Sequence, residues 1–259
     1  MAIPKVIHYC WFGEKPIPES VSKCISSWKK HCPEYEIRKW SEKDIDLSIN
    51  QYTQQAYSAK AWGFVPDYLR LWIIYNYGGI YLDTDVQVIR SFDPLLNHKA
   101  FAGMEEPEYV ALGLGFGAEA GNEFIKEHMQ QYDALSFINE DGSYNKTPSP
   151  HYTTALLKEH GFIPGKVEIQ NLDSVVVYPP EYFCPKAFST GITRVTRNTF
   201  SIHQFDASWY SEEEQKIKYE RWQKAKKDYI AHIPNRVLRK ILGDTEYEKL
   251  KRLLRKDRL

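Results

Sequence analysis

Long apolar runs are missing from this chain: no stretch of about 18 or more apolar residues occurs, so no membrane-crossing helix can be read from it. The start, Met1-Ala2-Ile3-Pro4-Lys5-Val6-Ile7-His8, lacks the basic segment and long apolar segment of a secretory signal, which gives the expectation of a cytoplasmic protein. Cysteine is sparse. Cys10, Cys24, Cys32 and Cys184 form no C-x-x-C pair and are too few for a disulfide scaffold, so they read as free thiols. Internal repeats and low-complexity tracts are absent. Net charge is also absent, at +0, but the balance is uneven along the chain. From Lys216 onward 15 Lys and Arg stand against 6 Asp and Glu, and before it 19 stand against 28. An acidic body argues against nucleic acid as a partner, whereas the basic tail is suited to anionic lipid or a polyanion.

What is present is enough for one sizeable core: 259 residues, 42% hydrophobic and 14% aromatic. We expect one main domain over 1–210 and a basic helical extension over 211–259. Lys5 to Trp11 reads as a buried strand, bounded by Pro4 and Gly13. Val21, Cys24, Ile25 and Trp28 recur at helical spacing, with Ser20 as N-cap and Pro33 beyond the end. Tyr35 to Trp40 alternates like a second strand, and strand–helix–strand in about 40 residues signals an α/β sheet. Pro66 suits a first helical turn, Asp67 suits its positive end, and Gly78-Gly79 closes the helix. Ile80-Tyr81-Leu82 then starts a strand expected to run through Asp83-Thr84-Asp85 to Ile89, and Ser174 to Tyr178 reads as another strand.

Two D-x-D patterns occur, and chance alone supplies about one in a chain of this length. Asp44-Ile45-Asp46 lies in a polar stretch and reads as a solvated loop. Asp83-Thr84-Asp85 follows a helix, a Gly-Gly turn and an apolar strand, the context that delivers side chains to the carboxyl end of a sheet. Residues two apart in a strand point the same way, so the two carboxylates are able to share a hard divalent cation and leave positions open for phosphate oxygens. The alternative is an acidic sheet edge, or a pair satisfied by Arg70 and Arg90.

Ile3 to Gly13, Pro66-Asp67-Tyr68-Leu69-Arg70, and Tyr77-Gly78-Gly79-Ile80-Tyr81-Leu82-Asp83-Thr84-Asp85 together resemble glycosyltransferase family 32, the D-x-D sugar-binding group. The spacing of Asp67, Arg70, Tyr81, Asp83 and Asp85 is also similar to that of the large clostridial glucosylating toxins. The resemblance covers roughly residues 3 to 210. It implies an α/β fold of GT-A type, the nucleotide-diphospho-sugar transferase fold with a mixed central sheet, here followed by C-terminal basic helices. It implies a retaining, metal-dependent transferase with Mn²⁺ or Mg²⁺, a UDP-sugar donor with GDP as runner-up, and a glycan or lipid-linked glycan acceptor in capsular, exopolysaccharide or lipopolysaccharide synthesis.

By the same resemblance Trp11 would stack on the base, with Ile7 and His8 lining that pocket. Asp67, Arg70, Asp83 and Asp85 would be the catalytic set, with Asp67 and Arg70 touching donor hydroxyls and phosphate and Tyr81 beside them. His203 would be a third metal ligand or a diphosphate contact, and Ser208 and Trp209 a lid over the diphosphate. Simpler readings stand next to these: Trp11 as core, Asp67 and Arg70 as an i,i+3 ion pair, His203 as structural and Trp209 as an anchor. Where many relatives have Thr-Gly-Pro this chain has Pro148-Ser149-Pro150-His151, and Leu112-Gly113-Leu114-Gly115-Phe116-Gly117 is Gly-rich. Both segments are expected to shape the sugar and acceptor pockets. Glu105 and Glu106 either approach the acceptor or form an exposed acidic loop. The tail is a candidate contact to the inner face of the cytoplasmic membrane. Competing functions are a non-catalytic glycan-binding protein on the same fold and a metal-dependent nucleotide-sugar hydrolase.

Overall fold

The computed structural model describes residues 2–206, 211–232, 239–240, 242–244 and 246–248. The chain divides into two units, Met1–Lys186 with Thr193–Trp209, and Ala187–Ile192 with Tyr210–Leu259.

In the first unit the chain begins with β1 (Val6–Cys10), α1 (Glu19–His31) and β2 (Glu36–Trp40), and β1 and β2 pair in parallel from Val6↔Glu36 to Cys10↔Trp40. The expected strand, helix and strand are all there, but the helix opens on Pro18 rather than on Ser20, with no side-chain cap. Fixed φ at proline makes it a serviceable entry to the first turn. After α2 (Gln51–Ser58) comes α3 (Pro66–Tyr77), and then β3 (Gly79–Tyr81), which lies parallel to β1.

Here the structure departs from the sequence reading. The strand stops at Tyr81, residues 82–85 make a turn, and β4 (Val86–Val88) leaves the main sheet. β5 (Ala100–Glu106) and β6 (Tyr109–Ala111) form a hairpin, and β7 (Phe116–Ala118) joins β3 to β5 in antiparallel register. After α4 (Glu123–Asp133) and α5 (Ser149–Glu159) the sheet is completed by β8 (Gln170–Asn171) and β9 (Val176–Tyr178), followed by α6 (Pro180–Phe183). The order is β2-β1-β3-β7-β5-β9-β8, with β6 on β5. It is a mixed sheet, parallel at β2-β1-β3 and at β5-β9. β10 (Ser201–His203) pairs antiparallel with β4 in a separate ribbon.

The core is built from Leu69, Leu71, Ile73 and Ile74 of α3, Ala102 and Met104 of β5, and Phe124, Ile125 and Tyr132 of α4. All four cysteines are buried free thiols, and burial pushes Cys10 and Cys24 up to about 12, so none is a thiolate at neutral pH.

In the second unit α7 (Glu212–Ala231) opens on a capping box, Ser211 Oγ accepting from the Glu214 amide and the Glu214 carboxylate accepting from the Ser211 amide. Trp222 is buried and its indole N–H donates to the Phe188 carbonyl at 2.8 Å. The later helical stretches expected after Pro234 fall largely outside the described residues.

Candidate active site

The site begins with the way α3 ends. Gly78 sits at φ 63° and Gly79 at φ 102°, where a side chain is strained. Space is closed as well: a Cβ on Gly79 would come within 2.8 Å of the Val6 carbonyl oxygen and 2.9 Å of His8 Nε2. The Gly-Gly pair therefore lets the chain reverse tightly against β1 and deliver β3 beside it.

His8 locks that reversal. Trp40 Nε1 donates to His8 Nδ1 at 3.0 Å, so the neutral ring carries its proton on Nε2 and donates it to the Gly78 carbonyl at 3.0 Å. Burial pushes the ring down to about 4. Ile7 is fully buried, and both nitrogens of His8 are used inside the protein.

Beyond β3, the Leu82 amide donates to the His8 carbonyl and the Asp83 amide donates to the Gly113 carbonyl at 3.1 Å. The turn closes when the Val86 amide donates to the Asp83 carbonyl at 3.1 Å. Asp83 and Asp85 are thus presented by a turn at the carboxyl end of β3, not by a continuous strand. Strand alternation is therefore not what orients them. The turn is anchored from α1, where Trp28 Nε1 donates to the Val86 carbonyl at 2.7 Å and Ser27 Oγ accepts from the Val88 amide.

The two aspartates have different partners. Asp83 keeps a side chain 29% exposed and has Arg70 at 3.7 Å. Arg90, the other suggested partner, instead donates to the carbonyls of Arg197 and Asn198 and lies over the Phe200 ring. Asp85 is less exposed, its side chain at 13%, with Oδ1 at 3.2 Å from His203 Nε2 and Oδ2 accepting from the Asp206 amide at 2.9 Å. β10 supplies His203 opposite Val86, so the β4–β10 ribbon is the device that holds Asp85. Burial alone would raise the Asp85 carboxyl, but His203 and the Asp206 amide outweigh it and keep it below its ordinary value. Burial likewise opposes charge on His203, yet Asp85, Asp83 and Glu105 carry the ring up to about 9. His203 Nδ1 is a buried polar atom with no hydrogen-bond partner among the described residues.

Asp67 and Arg70 lie one turn apart on α3, both side chains 6% exposed, with Arg70 Nη2 donating to Asp67 Oδ1 at 2.8 Å. Burial lifts Asp67 to about 6, against the pull of Arg70. Burial works against the Arg70 charge, but Asp83 and Asp67 prevail and hold it above its ordinary value. Tyr81 is buried, and the Arg70 guanidinium lies 5.3 Å from its ring centroid. Asp67, Arg70, Tyr81 and Asp83 are therefore one connected group, and Asp85 with His203 adjoins it through the turn.

Trp11 follows β1 and is half-buried; its indole N–H donates to the Lys15 carbonyl at 2.7 Å. It lines a cleft of 550 Å³ with Glu14, Lys15, Ile17, Lys39, Ser41, Glu42 and Lys43 at the carboxyl ends of β1 and β2. Ser208 and Trp209 lie outside the described residues. Asp44 accepts from the Ser41 amide and hydroxyl in a surface turn, and Asp46 caps a short 3-10 turn, so the other D-x-D is used locally.

Three further contributors were expected only in general terms, Gly113 and Ser149 within segments that shape the sugar and acceptor pockets and Glu105 either approaching the acceptor or in an acidic loop. Gly113 lies against the site: a Cβ there would overlap Asp83 Oδ2 and come within 2.9 Å of Asp83 Cγ and 3.2 Å of Arg70 Nη1. Glu105 is partly buried, and burial, with the negative charges of Glu106, Asp83 and Asp85 and against the pull of His203, raises its carboxyl. Ser149, at the start of α5, helps to lower the Asp67 carboxyl. The Gly-rich run signalled the first, but nothing local to residues 105 or 149 announces a partner 20 or more residues away in the chain.

Asp83 and Asp85 offer hard oxygen donors, one facing outward, which suits Mg²⁺ or Mn²⁺ sharing its shell with substrate phosphates. Among the described residues no group of three or more His, Cys, Asp and Glu side chains is arranged to hold an ion by itself.

Part of the chain is similar in sequence to known proteins. Residues 18–102 match the family described as glycosyltransferase sugar-binding region containing DXD motif. Inositol phosphoceramide mannosyltransferase 3 of Schizosaccharomyces pombe is 30% identical over 144 residues, which are 52% of this chain and 39% of that protein. The initiation-specific alpha-1,6-mannosyltransferase of Candida albicans is 28% identical over 126 residues, 45% of this chain and 32% of that one. The chain therefore spans about two fifths or less of the length of these relatives. Among solved structures, PaToxG glycosyltransferase superposes with a TM-score of 0.47 at 19% identity, over 61% of this chain and 69% of that one. The resemblance to the DXD glycosyltransferases of family 32 type is borne out, as is the α/β fold with a mixed central sheet.

Proposed function

We propose that this chain is a hexosyltransferase that moves a sugar from a nucleoside-diphospho-sugar to a hydroxyl of a glycan, with Asp83, Asp85, Asp67 and Arg70 at the reacting end. The observation that carries the reading is the connected group Asp67–Arg70–Asp83, with Asp85 held next to it by His203. Trp11 lines the cleft at the carboxyl ends of β1 and β2, to which we assign the base. The relatives are named mannosyltransferases, so a mannosyl donor belongs in the test along with UDP- and GDP-linked glucose and galactose.

Arg70 lies where it neutralises charge that develops on the departing diphosphate, and Asp67 accepts from donor-sugar hydroxyls and holds Arg70 in place. Asp83 and Asp85 are the ligands for a divalent cation, which when bound would stabilise the leaving diphosphate. His203 fixes Asp85 by hydrogen bond and adds positive charge nearby. In the proposed reaction the acceptor oxygen bonds to the anomeric carbon as the carbon–oxygen bond to phosphate breaks. The nucleoside diphosphate leaves with that electron pair, and the acceptor proton passes to a donor phosphate oxygen. Among the described residues no side chain stands out as a covalent nucleophile, which favours attack from the leaving-group face and an α-linked product.

Incubation with the donor panel and Mn²⁺, with and without acceptor glycans, tests this. Glycosidic product with one donor supports transfer; release of free sugar and nucleotide alone would make the chain a hydrolase; binding without turnover would make it a glycan-binding protein.

We place the enzyme at the cytoplasmic face of a membrane, in synthesis of surface polysaccharide, on the strength of the basic tail. No helix among the described residues is long and apolar enough to cross a membrane. The reading asks only that Lys and Arg of 216–259 meet anionic lipid.

A further inference from the structure

Two segments far apart in sequence meet where the β5–β6 hairpin packs on α5. The β5–β6 hairpin runs from Glu105, beside Asp83, Asp85 and His203, to Tyr109, which is paired with Glu106 across a bulge at Met104/Glu106. A bulge re-aims the side chains next to it. The start of α5 brings His151 against Tyr109, ring centroids 4.8 Å apart and planes 51° apart. Both rings are solvent-exposed, Tyr109 at 36%.

The pair is firmly mounted. The Val110 amide donates to Thr154 Oγ1 of α5 at 2.9 Å, and the Gly165 amide donates to the Pro107 carbonyl at the hairpin tip at 2.8 Å. Ser149, two residues before His151, helps to lower the Asp67 carboxyl. The exposed rings are thus carried by the same two elements as Glu105, on the hairpin, and Ser149, on the helix.

We propose that Tyr109 and His151 form the platform on which a pyranose ring of the acceptor glycan stacks, with Glu105 and Glu106 accepting hydrogen bonds from its hydroxyls. The inference rests on the transferase reading above. An aromatic face flanked by carboxylates matches the two sides of a sugar, apolar C–H and polar O–H. The same carboxylates, with Glu108 exposed beside them, would repel an anionic membrane, so the occupant is carbohydrate and not lipid headgroup.

The probes are the methyl α-glycosides of glucose, galactose and mannose, observed by saturation-transfer NMR without donor and then used as acceptors with the donor that the wild type consumes. At least one glycoside should receive saturation from the wild type. Tyr109→Ala should weaken that signal and raise the acceptor KM about tenfold with the donor KM held, Tyr109→Phe should restore both, and His151→Ala should act in the same direction as Tyr109→Ala. Absence of saturation transfer to all three, or an acceptor KM indifferent to both alanine variants, overturns the platform even if donor is consumed. A glycoside signal that depends on Tyr109 in a protein consuming no nucleotide sugar would keep the platform and overturn the transferase reading instead.

Discussion

Gly113→Ala asks whether the position of Asp83 matters more than its presence. Gly113 is not in the left-handed region, so alanine meets no backbone strain there. The added methyl would lie 2.9 Å from Asp83 Cγ, where carbon–carbon contact is comfortable at about 3.5 to 4.0 Å. The carboxylate must therefore move by about 0.6 to 1 Å, and more at Oδ2, which the methyl overlaps. Because the obstructing atoms are the end of a side chain, the fold yields cheaply, at about 1 kcal/mol, or a shift of roughly 2–4 °C in melting temperature. A displacement near 1 Å at a reacting centre costs about 100-fold in rate. The assay pairs kcat/KM on the preferred donor with thermal melting. If Gly113→Ala turns over like the parent while Asp83→Asn does not, the carboxylate's position is not what the site depends on, and the reasoning fails.

Arg70→Ala leaves Asp67 buried without its partner and should destabilise the protein by about 3–5 kcal/mol, read by urea denaturation. A loss under about 1 kcal/mol would show that the pair is not buried as described. His8 and His128 are both buried and both pushed down to about 4, so the folded state holds them neutral. Their contribution is fully present above the unfolded value near 6.5 and is lost as pH falls from there through about 4, up to roughly 3 kcal/mol for each. Urea midpoints measured from pH 7 to pH 4 should fall along that window, with a flatter profile in His128→Gln; a pH-independent parent refutes it. Trp11→Leu should weaken nucleoside-diphosphate binding about tenfold by calorimetry with the melting temperature kept, and simple unfolding would return Trp11 to the core.

Much of the fold was legible because local chemistry is strong where it counts. Pro66, Asp67 and Gly78-Gly79 bound α3 in the sequence as they do in space, and the alternation at Tyr35 to Trp40 marks β2. The break in the strand at Tyr81 was not legible. Ile80 to Ile89 is apolar enough to read as continuous, and what ends β3 is tertiary: the amide of Asp83 bonds to Gly113, and β4 finds β10 more than 100 residues later. The same limit applies to the site. The aspartates and Arg70 could be named from a motif and Gly113 from its Gly-rich run, whereas the neighbours of Glu105 and Ser149 are ones that no local pattern encodes.

The central claim is that Asp83 and Asp85 bind a divalent cation together with a nucleoside diphosphate. Calorimetric titration of UDP and GDP into the wild type, Asp83→Asn and Asp85→Asn, each with and without Mn²⁺, measures it directly. The account predicts that Mn²⁺ tightens one nucleotide at least tenfold in the wild type and not in either variant, while Asp44→Asn behaves as the wild type. Equal nucleotide affinity with and without Mn²⁺ in the wild type, or full tightening in both variants, would contradict it.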